Sequence, residues 1–151
     1  MRISTLMIAL QSLSPKEMYR STKAKKSYRE THGECAMCGS EKYLEVHHVV
    51  PVHVDPMRAA DHRNLITLCD GPNGSNSACH RYFGHFGSFR YKHNPLIREQ
   101  SVINRFLMHS QDPEREFLYP AELMIMEFSE CQGISSEEFI ENLRAVMADL
   151  V

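Results

Sequence analysis

The sequence has no apolar run approaching the roughly 20 residues needed to cross a membrane. Its N-terminal candidate, Ile3 to Leu10, is short and interrupted by Ser4 and Thr5. With only Arg2 ahead of it and no small-residue cleavage site, it fits a secretory signal poorly and reads as an apolar arm packed on the domain. Internal repeats and low-complexity tracts are also missing, which argues against a repeat architecture. Nor is there an excess of one charge: 17 Lys and Arg stand against 19 Asp and Glu, a net of −2. What is present is a chain of 151 residues with 42% apolar content, the size of one ordinary domain and able to bury a core. The expectation is a single domain over residues 1–151, located in the cytoplasm and independent of membranes.

The balanced total conceals a gradient. Residues 1–31 hold seven Lys and Arg against two Glu, and residues 32–111 hold eight against seven acids. Residues 112–151 hold two against ten. A basic start and a histidine-rich middle suit nucleic acid, with the acidic end held away from phosphate; the plainer reading is solvated helix faces. Five cysteines stand at 35, 38, 69, 79 and 131. An odd number with one Cys-x-x-Cys pair favours a metal site over a disulfide framework, and a reducing compartment.

Ser14-Pro15-Lys16-Glu17 supplies an N-cap, a proline for the first helical position and a capping-box glutamate, and no breaker follows before Gly33. This predicts a basic helix over 14–31. ECAMCGSEKYLEVHHVVP reads as a knuckle turn and a short strand, PVHVDPMRAADHR as a connector, and NLITLC as a second strand. DGPNGSNSA is a turn segment, and CHRYFGHF begins a helix that packs on the strands. SVINRFLMHS and YPAELMIMEFSEC read as helical, the second leaving room for a strand. Ser135 and Glu138 form another capping box before a stripe of Phe139, Ile140, Leu143, Val146, Met147 and Leu150, a core-facing pattern. Residues 96–151 are thus a mainly helical, acidic extension.

Cys35-x-x-Cys38 aims two thiolates at one ion from a single turn, with Gly39 as permissive backbone after the second. Cys69 and Cys79 are the available second pair. The nine residues between them exceed the usual spacing, but their Gly, Asn, Ser and Pro content allows them to loop out. A structural zinc on Cys35, Cys38, Cys69 and Cys79 is expected. Cys131 fits neither pair and reads as a small buried side chain.

Such a zinc would gather His47 and His48, Asn64 and His80 at one place. The order CxxC, LEVHHVVP, NLITLC, CH over residues 34 to 86 resembles the HNH endonuclease family. The segment CHRYFGHF with its following HNP is similar to small HNH proteins of phages and bacterial genomes. The resemblance implies an α+β fold: a small ββα-metal, treble-clef-like core with a structural zinc, flanked by helices. It implies that His48 is the general base and that Asn64 orients it or braces the site. His80 would ligate a catalytic divalent ion, together with His47. Relatives often carry aspartate at the position of His47; imidazole there leaves Mg²⁺, Mn²⁺, Ni²⁺, Co²⁺ and Zn²⁺ all open. His85 follows His80 by five residues, so a regular helix would turn it partly away. It stands as a ligand or a phosphate contact.

DNA is the implied partner. Lys23, Lys25, Lys26 and Arg29 on the first helix, and Arg81, Arg90 and Lys92 nearer the site, are candidates for its phosphates. Tyr82, Phe83 and Tyr91 offer rings for stacking, with core packing favoured for Phe83. Asp55, Asp61, His53 and His62 read as solvated connector residues. Two alternatives stand beside the nuclease. One is a non-catalytic zinc module that binds nucleic acid or protein; the other is a protein-binding role for the acidic C-terminal segment.

Overall fold

The computed structural model describes residues 13–72, 78–88 and 92–149. The expected apolar arm, Leu150, Arg90 and Tyr91 lie outside those residues. Helix α1 is Pro15–Thr31, and its capping box forms as the sequence implies. Ser14 Oγ accepts the Glu17 N–H at 3.2 Å, and Glu17 accepts the Ser14 N–H at 2.7 Å. Strands β1 (Leu44–His48) and β2 (Leu65–Cys69) pair antiparallel, with Leu44 opposite Cys69 and His48 opposite Leu65. The connector between them contains two single turns of 3-10 helix, Pro56–Arg58 and His62–Asn64. Asp55 and Asp61 accept the N–H groups of Met57 and Arg63 there, so both serve as turn caps.

A strand alternates its side chains between two faces. Val46 and Leu65 face α1 and form a small cluster with the buried Tyr28. Ile66 and Leu68 belong to the larger core, with Ile97, Val102, Met124, Phe128 and Phe139. After β2 comes a short π-helical turn, His80–Gly84, in place of the regular helix start expected there. Helices α2 (Ile97–Gln111), α3 (Ala121–Gln132) and α4 (Ser136–Asp149) follow. YPAELMIMEFSEC contains no strand; it is helix to Gln132, closed by Gly133 at φ 68°. Cys131 is only half-buried.

The C-terminal helices also build the cysteine knuckle. Arg105 of α2 is buried and pairs with the buried Glu34 at 2.7 Å. Its guanidinium donates to the carbonyls of Cys35 and Ala36. Asn104 donates to Met37 O, and Arg115 to Cys38 O at 3.2 Å. Four consecutive carbonyls of the knuckle are therefore held by side chains from residues 104–115. Gly39 takes φ 77°, and a Cβ there would meet the Phe117 ring at 2.9 Å, so only glycine fits this turn.

Candidate active site

The sulfurs of Cys35, Cys38, Cys69 and Cys79 all lie within 4.8 Å of one another. A tetrahedron with Zn–S bonds of about 2.3 Å has edges of about 3.8 Å. Cys38 and Cys69 stand 3.7 Å apart, so the donor set fits that ion. Crowding divides the thiols: hydrogen bonding from Cys35 holds Cys38 below the ordinary thiol value and Cys69 at about 7. The long insert before Cys79 does not separate the pairs, because β2 delivers Cys69 and the π turn begins right after Cys79.

The second cluster consists of His47, His80 and His85, whose ligand atoms also lie within 4.8 Å of one another. Their ring centroids are 4.7 to 5.0 Å apart. His85 joins the set through the π turn. Bonding from i to i+5 stacks residues five apart, where a regular helix would stack those four apart. The expectation that His85 turns partly away is thereby corrected. Buried Asn94, the asparagine of HNP, secures the end of this turn by donating to Phe83 O and, from its backbone, to Gly84 O.

Hydrogen bonds assign the ring nitrogens. A carboxylate or carbonyl only accepts, so Nδ1 of His80 carries its proton toward Asp70, 3.3 Å away. Nδ1 of His85 does the same toward Lys92 O at 2.8 Å. Both rings then keep a lone pair on Nε2. His47 Nδ1 lies 3.1 Å from His80 Nε2, and the buried His47 Nε2 has no hydrogen-bond partner. Burial, with His80 and His85 nearby, pushes His47 down to about 2. Burial lowers His80 and His85 as well. Three neutral imidazoles converging on one point, one with an orphaned nitrogen, fit a divalent cation with open coordination positions.

His48 lies on the opposite strand face from His47, toward α1. Its Nε2 donates to Ala59 O at 2.8 Å, and Ser21 of α1 donates to the same carbonyl at 3.1 Å. This places the proton on Nε2 and leaves the lone pair on Nδ1. Burial and then the Lys25 ammonium lower its pKa, so the ring stays neutral. Asn64 is fully buried and does not bond to His48. Its amide instead clamps the chain beyond β1, accepting from Val50 N at 2.8 Å and donating to Val50 O and Arg58 O.

Two closed pairs of thiols, a histidine doublet at a strand end, a buried asparagine before the next strand and a Cys-His step now stand in one geometry. Residues 35–81 match the HNH endonuclease family. The antiparallel pair, the short helical turn and the cysteine cluster are consistent with the ββα-metal fold of HNH domains. The HNH match contains every sequence-expected site residue of the core except His85, four residues beyond its end. It points to nuclease-type chemistry with a divalent metal. No curated protein and no solved structure matches the chain significantly.

Around the HNH segment the cations are placed unequally. Lys23, Lys26 and Arg29 are exposed on α1, whereas Lys25 is half-buried. Burial lowers the Lys25 pKa against the pull of Glu45. Arg81 lies 3.5 Å from Asp70, and Lys92 is exposed while its carbonyl holds His85. Sequence reasoning missed Asp70, Ser21 and the Ala59 carbonyl. Asp70 alone carried a signal: a carboxylate next to a ligand cysteine, where histidine ligands commonly find their orienting partner.

Proposed function

We propose that this chain is a metal-dependent DNA endonuclease that hydrolyses phosphodiester bonds with His48 as general base. The observation that carries this reading is the His48–Ala59 hydrogen bond, which leaves a neutral imidazole with its lone pair on Nδ1. A base that is neutral at working pH is what water activation needs. His48 Nδ1 takes the proton as the water oxygen bonds to phosphorus. The bond from phosphorus to the leaving sugar oxygen breaks, and that oxygen takes a proton from solvent. Asn64 and Ser21 are positioning residues, since both act on the segment that presents Ala59 O to His48. His47, His80 and His85 hold the divalent ion, which when bound polarises the phosphate and offsets charge on the leaving oxygen. Cys35, Cys38, Cys69 and Cys79 hold a structural zinc, and their use as thiolates fits a reducing cytoplasm. Lys23, Lys25, Lys26, Arg29, Arg81 and Lys92 neutralise DNA phosphates, and the chain works as a single domain.

The test is a plasmid nicking assay across Mg²⁺, Mn²⁺, Co²⁺, Ni²⁺ and Zn²⁺. His48→Ala should lose about 10²- to 10⁴-fold in turnover while keeping metal affinity. Equal cleavage by wild type and variant would remove His48 as the base. Wild type that nicks with none of the ions would favour the non-catalytic zinc module.

A further inference from the structure

The π turn that carries His80 also displays a set of rings that the metal cluster does not use. Core packing was expected for Phe83, yet it is 45% exposed, beside Tyr82 at 58% and Phe86 at 51%. These rings border an apolar groove that reaches Leu107 of α2 and includes two amides, Gln100 and Asn104. Phe86 adopts φ 50°, a left-handed conformation that is a real outlier for a bulky residue. Strain of this kind persists where the placement of a side chain is used.

We propose that this groove receives an unpaired nucleobase from the strand whose phosphate lies at the histidine cluster. The substrate favoured at the cut is then single-stranded or locally unpaired DNA. The inference rests on the nuclease reading and adds the substrate class. Three observations select a base over other apolar occupants. Phe86 directly follows His85, so the groove adjoins the point where a phosphate would be held. The edge chemistry is bipartite: Gln100 Oε1 accepts from Asn94, leaving its N–H groups to donate, while Asn104 donates to Met37 O, leaving its oxygen to accept. A base presents both complements along one edge, and its flat face stacks on exposed rings. The half-buried Arg81, between His80 and Tyr82, and the exposed Lys92 add cationic charge on the same segment.

The chain contains no tryptophan, so Phe86→Trp introduces a unique fluorophore at the groove. The zinc-loaded full chain is titrated, without added divalent ion, with a single strand, a matched duplex and a duplex containing an unpaired bubble. Quenching of Trp by the single strand and the bubble, and much less by the duplex, is expected. Phe86→Gly should lose about tenfold in affinity for the bubble and little for the duplex, the size of one stacking contact. Its melting temperature should be no lower than wild type, because glycine accepts the left-handed conformation. Tyr82→Ala with Phe83→Ala should show the same selectivity. Equal losses on bubble and duplex, unchanged affinity for both, or unquenched Trp overturn the proposal. So does a concentration-dependent dimer in sedimentation that Phe86→Gly abolishes while DNA affinity stays fixed. Wild type that cuts duplex with no preference for unpaired DNA overturns the groove and leaves the nuclease; wild type that neither binds nor cuts any DNA overturns both.

Discussion

The cysteine and histidine clusters touch in sequence at Cys79-His80, yet they are built in opposite ways. Around the cysteines the backbone is locked: the carbonyls of residues 35 to 38 all accept from side chains of residues 104–115. The four sulfurs lie within 4.8 Å of one another, and four thiolates are a complete ligand set for a tetrahedral zinc. The histidines are held through their rings instead, by Asp70 on one and the Lys92 carbonyl on another. They number three, and His47 keeps a nitrogen without a partner. A closed donor set stores folding energy, whereas an open one keeps coordination positions for substrate and water. If that contrast holds, damage to the first cluster should unfold the protein and damage to the second should leave a folded, inactive one.

The largest effect is expected at the sulfurs. A structural zinc carries on the order of 10 kcal/mol of folding free energy in small zinc modules. Cys38→Ser should therefore abolish cooperative thermal unfolding followed by circular dichroism. A wild-type melt for this variant would erase the distinction between the clusters.

Next comes the clamp that holds the knuckle. Arg105→Ala leaves the buried Glu34 carboxylate without its ion pair and strips the Cys35 and Ala36 carbonyls of a donor. Breaking one side of a buried pair costs about 3–5 kcal/mol. Urea unfolding of the zinc-loaded protein should fall by that amount, with faster zinc transfer to a chromophoric chelator. Arg105→Lys restores the charge without the forked geometry and should fall between. Unchanged zinc transfer in Arg105→Ala would show that the helices merely rest on the knuckle.

At the histidines the effects should be smaller and confined to one ion. Asp70→Asn removes the carboxylate that orients His80 and should weaken the second divalent ion by about 10- to 100-fold. Calorimetric titration with Mn²⁺ reads this, while zinc content and melting temperature should stay at wild-type values. Loss of zinc in Asp70→Asn would mean that the two clusters are one site.

The smallest effect concerns a carboxylate outside both clusters and sets a baseline for acid titrations. Burial pushes Glu127 up most strongly, but the hydrogen bond and charge of His32, 2.7 Å away, together with hydrogen bonds from Tyr119 and Tyr28, outweigh it and hold its pKa below the usual 4.5. A depressed carboxylate contributes stability above its unfolded value and loses it as the pH falls through the folded one. Glu127→Gln should flatten the stability profile below about pH 4.5, with no change in metal content at neutral pH. A profile identical to wild type would show that the pair contributes nothing measurable.

Much of this site was legible before folding. The capping box placed α1 to within a residue, because its two bonds span only three positions. Turn-rich composition between Cys69 and Cys79 allowed these two cysteines to meet despite their long spacing, and their sulfurs do lie in one cluster. His85 was only half legible: spacing named it, but regular helical geometry misplaced it, and whether a segment winds as α or π depends on what seals its end. Asn94 and Gly84 do so here. Phe83 was misread for a related reason, since an aromatic beside a strand is usually covered and nothing local says when it is not.

The sequence by itself determined which groups are available for chemistry: four cysteine sulfurs, the imidazoles of His47, His80 and His85, that of His48 on the other strand face, and an asparagine between the strands. Those depend on residue type and on the two-residue period of a strand, both local properties. Tertiary structure alone decided which nitrogen of each ring carries a proton and which carbonyls the knuckle gives up. The partners responsible lie far along the chain: Ala59 O is 11 residues from His48, and Cys35 O is 70 from Arg105. A hydrogen-bond acceptor's identity can be read from its residue; its direction exists only once the chain has closed around it.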